Sequence, residues 1–137
     1  MELTPHSMAA LAKKVLGYEH PSVRFGTAIV GLVYYWTVGG YSGTALAPAD
    51  ALDMLAAGAW RAVRERWEVD IGMAIVDGDG EDPSTWHVRA TVHPKDTPDD
   101  AIVDIRLAGY ECACADPANI FALLTALDAA GVKAEGK

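Results

Sequence analysis

His87 and His93 stand in a run of alternating polarity, with Arg89 and Thr91 between them. Side chains two positions apart on a strand leave on the same side, so all four share one face. Two imidazoles beside a guanidinium can hold an anion or exchange protons near neutral pH. Spacing alone places no carboxylate or nucleophile beside them, and the water-facing side of an antiparallel sheet has the same pattern. The only enzymatic reading the chain offers is a small enzyme using His87 and His93, and no catalytic residue is assigned.

Tyr34, Tyr35 and Trp36 are consecutive, and Tyr41 follows closely. Successive aromatics on a strand send rings to both faces. One face belongs to a core, and the other asks for a helix, a partner subunit or a flat ligand. Aromatic rings stack on nucleobases at about 1–3 kcal/mol each, and they also anchor interfaces. Arg61, Arg64 and Arg66, close to Trp60 and Trp67, are able to frame a phosphate. Arginines in a last helical turn also complement the helix dipole. The candidate ligand-binding set is therefore Tyr34, Tyr35, Trp36, Tyr41, Trp60, Arg61, Arg64, Trp86, His87 and Arg89.

Asp77, Asp79 and Glu81 alternate as calcium ligands do, but Asp82 stands where a calcium loop needs glycine and Val88 where it needs glutamate. The segment reads as a solvated hairpin loop. Cys112 and Cys114 on a strand would lie about 6.5–7 Å apart, at the edge of disulfide reach. They read as small buried residues in a reducing compartment, and a metal needs more ligands than they supply. No P-loop, nucleophile elbow, zinc helix or dinucleotide fingerprint occurs. No metal or cofactor is expected.

The elements that must position these groups follow from periodicity. Thr4 and Pro5 open a first helix, Met8, Leu11, Ala12, Val15 and Leu16 form its stripe, and Gly17 ends it. Residues 23–38 read as β structure, with Gly26 and Gly31 marking a turn or bulge. One bent strand or a hairpin over Arg24–Ala47 fits equally. Gly39–Gly43 reads as a loop. Pro48 opens a second helix to about Arg66, with Leu52, Leu55, Ala56, Ala59, Val63 and Trp67 on one face.

A hairpin follows, in which Val69, Ile71, Met73 and Ile75 alternate with polar or small residues, as do Trp86, Val88, Ala90 and Val92. That period predicts one buried face and one wet face. A third strand spans about Ala101–Ala108, and an extended run continues through Tyr110–Ala115. Asp116 and Pro117 open a last helix that buries Ile120, Leu123, Leu124 and Leu127 and stops at Gly131. Residues 132–137 are expected to fray. The whole chain, 1–137, reads as one α+β domain: an antiparallel sheet covered by helices, in the order α-β-α-β-β-β-α.

The chain has 137 residues and a net charge of −8. Residues 1–67 carry six basic and five acidic side chains, a balance of +1, whereas 68–137 carry five and fourteen, a balance of −9. Such a surface repels phosphate backbones, which argues against general nucleic-acid binding. No secretory signal pattern is visible, and the longest apolar run, Thr27–Val38, is well short of the roughly 20 residues a membrane span needs. The expected location is cytoplasmic, away from membranes.

Three segments together resemble the bacteriophage ABA-sandwich domain family. Ala9–Tyr18 resembles its opening helix. Ala51–Arg66, with Ala59 and Trp60 at its centre, resembles its second helix before a strand hairpin. Ala113–Ile120, leading to Ala122, Leu123 and Leu124, resembles its closing strand-to-helix segment. The segment Arg24–Ala47 departs from the pattern in being longer and more apolar. The resemblance implies a small phage or prophage protein of unknown function, acting in the host bacterium, with a sheet sandwiched by helices. It implies no catalytic residues.

The function expected from these features is a non-enzymatic phage accessory protein. It would bind or sequester a small host ligand, such as a nucleotide-type signal, or a host protein, in an anti-defence role. A virion structural or assembly protein is the alternative. Surplus apolar surface predicts a homodimer or a higher homo-oligomer.

Overall fold

The computed structural model describes residues 2–28, 31–38, 41–43, 46–75, 86–96, 100–107 and 116–133. Helix α1 (Pro5–Leu16) begins where Thr4 Oγ1 accepts the Ser7 N–H at 3.0 Å and Ser7 Oγ accepts the Thr4 N–H at 2.8 Å. This is a reciprocal cap with serine in the usual glutamate position. Gly17 closes the helix at φ 70°, a left-handed conformation that favours glycine. Met8, Leu11, Ala12 and Val15 are buried along one stripe.

Helix α2 (Pro48–Arg66) follows a three-stranded meander, β1 (Val23–Ala28), β2 (Gly31–Val38) and β3 (Tyr41–Gly43). The segment 24–47 is thus a hairpin with a third strand added. Tyr41-Ser42-Gly43, expected to be loop, pairs with Trp36-Thr37-Val38. Gly26 marks neither turn nor bulge. It pairs in continuous register with Val33, and the Tyr35 ring lies across it so closely that a Cβ would overlap the ring. An aromatic covering a bare backbone is the reason a glycine serves inside this strand.

Strands β4 (Glu68–Ile75), β5 (Trp86–His93) and β6 (Val103–Leu107) make a second antiparallel meander. Helix α3 (Pro117–Ala129) is capped by Asp116, whose Oδ1 accepts the Ala118 N–H at 2.8 Å. At its end, Gly131 adopts φ 86°, its N–H bonds Asp128 O, and the Val132 N–H bonds Leu127 O, both at 3.0 Å. Those two bonds are a Schellman closure. Val132 packs against the core and the Lys133 carbonyl receives Arg66 Nη2 at 3.4 Å.

The mixed α+β class and the order α-β-α-β-β-β-α are those of the structure, with the first β segment made of three strands and the strands of the described residues divided between two small sheets. The three helices pack on one another, and their stripes form a single core with Val23 of the first sheet and Val92 of the second. Phe25 and Tyr34 join it from one sheet, Val69, Val103 and Ile105 from the other.

Alternation in the second sheet holds at Ala90 and Val92, which are buried. Ile71 was expected to point inward with Val69 but is 42% exposed. Strand β4 lies at the edge of its sheet, and Val69 near its start packs against the core. Among the described residues, no helix is long and apolar enough to cross a membrane. The loop Asp77–Asp82, Gly109, Tyr110–Ala115 with Cys112 and Cys114, and residues 134–137 lie outside the described residues.

Candidate functional site

The outer side of α1 carries a second stripe. His6, Ala9, Ala10 and Lys13 recur at helical spacing opposite the buried stripe. The two alanines leave space, and the connection 17–22 with strand β1 turns back across it. The result is a cleft of about 640 Å³ between α1, the connection and β1. Its size suits an organic ligand, for which pockets run to roughly 300–1,000 Å³.

Val23, Phe25, Ala12 and Leu55 give the cleft an apolar base, continuous with the core. The Phe25 ring meets His6 edge-on at 5.6 Å and Tyr34 edge-on at 5.7 Å. Such edge-to-face pairs fix ring orientation. Tyr34 therefore supports the cleft from behind, through Phe25. On the other side Tyr18 and His20 stand edge to face at 6.3 Å. The hydroxyl end of Tyr18 is seated on Gly58 of α2, where any Cβ would overlap it.

Burial raises the Tyr18 phenol above its ordinary value, and the positive charge of Arg61 acts in the opposite sense. Burial lowers the His20 imidazole below its ordinary value. His20 Nδ1 accepts the Ser22 N–H at 3.0 Å, so the proton of the neutral ring belongs on Nε2.

The rim is charged. Lys13 Nζ lies 2.9 Å from Glu19 Oε1. That contact raises the Lys13 ammonium and lowers the Glu19 carboxyl, to which the charge of Arg24 adds. With Lys13, Arg24 and Glu19 at its mouth, the cleft carries a local excess of one positive charge in a chain of net charge −8.

The candidates read from the sequence are spread over three places. Tyr34 faces the core, and Tyr35 lies on the other face of the sheet over Gly26. Trp60 is half-buried on α2, with the Arg64 guanidinium 5.3 Å from its ring centre. Arg61 is exposed on the same helix and reaches Tyr18 by its charge. The side chains of Trp36, Tyr41, Trp86 and His87 lie outside what the structure describes.

Arg89 is engaged with Asp104 through both its Nε and its Nη2. His93, expected on the wet face, has a side chain only 14% exposed, and its Nε2 lies 3.0 Å from Asp70 Oδ2. The cause of the difference is cross-strand pairing, since the diagonal neighbours Asp70 and His93 meet on that face. Its Nδ1 is buried without a hydrogen-bond partner among the described residues.

The residues that build the cleft, His6, Lys13, Tyr18, Glu19, His20 and Arg24, were not singled out from the sequence. The available signal was the polar–small–small–polar stripe on α1, followed at once by an aromatic and charged connection. Comparison with protein-family models, curated proteins and solved structures finds no match to this chain.

Proposed function

We propose that this protein is a small non-enzymatic binding protein, and that the cleft between α1 and β1 holds a nucleotide-type anion. The observation that carries the reading is the pairing of an aromatic, apolar base with a cationic mouth on an otherwise acidic chain. A nucleobase needs flat apolar walls, and a phosphate needs charge-assisted donors. Phe25, Tyr18 and the two imidazoles supply the first, and Lys13 and Arg24 the second. The resemblance to phage ABA-sandwich proteins adds a setting, in which a phage accessory protein sequesters a small host signal.

Calorimetry tests this directly, with the four nucleoside 5′-monophosphates and a set of cyclic dinucleotides as titrants. Binding that is lost in Phe25→Ala and in Lys13→Met supports the cleft. No heat from any titrant, or binding unaffected by both substitutions, removes it.

A further inference from the structure

Glu19 occupies the place to which a ligand's anionic group would be drawn. Its carboxylate contacts Lys13 at 2.9 Å, and Arg24 lines the same cleft. The two side chains of this ion pair are 68% and 70% exposed. Exposed pairs of this kind contribute little and open readily. Glu19 also lies on the short connection just beyond the Gly17 cap, so its side chain can swing outward without disturbing α1.

Building on the cleft reading, we propose that Glu19 is a tethered stand-in anion, displaced from Lys13 when a phosphomonoester enters. An incoming carboxylate would exchange like for like and gain no charge. A phosphomonoester brings a charge of roughly −1.5 to −2 near neutral pH and three acceptor oxygens, enough to engage Lys13 and Arg24 together. Glu19 thereby makes the cleft selective for phosphate heads.

The test uses the full chain and calorimetry with the tightest-binding of the four nucleoside 5′-monophosphates and the corresponding 5′-carboxylate. The wild type should bind the phosphate at least about tenfold more tightly than the carboxylate, and Glu19→Gln should tighten the phosphate roughly fivefold. Asp128→Asn is the control. It removes the same charge from another lysine pair, Lys14–Asp128 at 3.0 Å, and should leave affinity unchanged.

Equal binding of the two wild-type titrants, no tightening in Glu19→Gln, or equal tightening in Asp128→Asn overturns the proposal while the cleft reading stands. Silence of all four monophosphates overturns the proposal, and silence of the cyclic dinucleotides as well removes the cleft reading.

Discussion

The Tyr18 hydroxyl rests on the backbone of Gly58, and that contact holds the connection 17–22 against α2. One wall of the cleft therefore depends on a residue of a different helix that has no side chain.

Gly58→Ala should accordingly destabilise the protein. Alanine favours a helix over glycine by about 1 kcal/mol, but the new methyl collides with a rigid ring, and overpacking costs roughly 1–3 kcal/mol. Thermal unfolding should show a lower Tm in Gly58→Ala than in the wild type. In a Tyr18→Ala background the sign should reverse, with Gly58→Ala raising Tm. A stabilising Gly58→Ala in the wild-type background would show that the two residues do not touch.

Stability should fall on mild acidification. Burial holds the folded His20 pKa below its unfolded value of 6.5, so the unfolded chain takes up the proton first. The contribution is complete above 6.5 and is lost as pH falls through the folded value. Protonating Nδ1 would also break the bond from the Ser22 N–H. Urea unfolding from pH 7.5 downward should show a declining midpoint, and His20→Gln should flatten the slope. An NMR midpoint for His20 above 6.5 would contradict the assignment.

Arg66 and Arg64 should differ sharply although they are close neighbours on α2. Arg66 donates to the Val15 carbonyl at 3.3 Å and the Lys133 carbonyl at 3.4 Å, and lies 4.6 Å from the Trp67 ring centre. Arg66→Ala should cost about 1–2 kcal/mol, after allowance for partial exposure. Arg64→Ala loses one exposed cation–π contact and should stay within about 0.5 kcal/mol of the wild type. Chemical denaturation of both variants measures the contrast.

Helices were legible in the chain because their ends announce themselves. Thr4-Pro5, Pro48 and Asp116-Pro117 open them, and Gly17 and Gly131 close two of them, as the structure has it. The strand Tyr41–Gly43 was hidden because glycines on either side of two ordinary strand residues look like a loop, and only pairing with β2 makes it a strand. Gly26 misled for a related reason, since the ring that covers it comes from the neighbouring strand. Tyr34, Tyr35 and Trp60 could be recognised as aromatic, but which face each occupies depends on register. The cleft was the least visible part. It forms where the outer stripe of α1 meets a segment that returns across it, and no local pattern records that meeting.

Among the described residues, each sheet is knit from strands that follow one another along the chain, and neither borrows a strand from the other. Each can therefore zip up from its own connections, closing only short loops. The costly long-range steps are the docking of α1 on α2 and of α3 beside both, contacts that join helices far apart along the chain. Folding speed should track those docking events, because short-range pairings close quickly and distant ones set the pace.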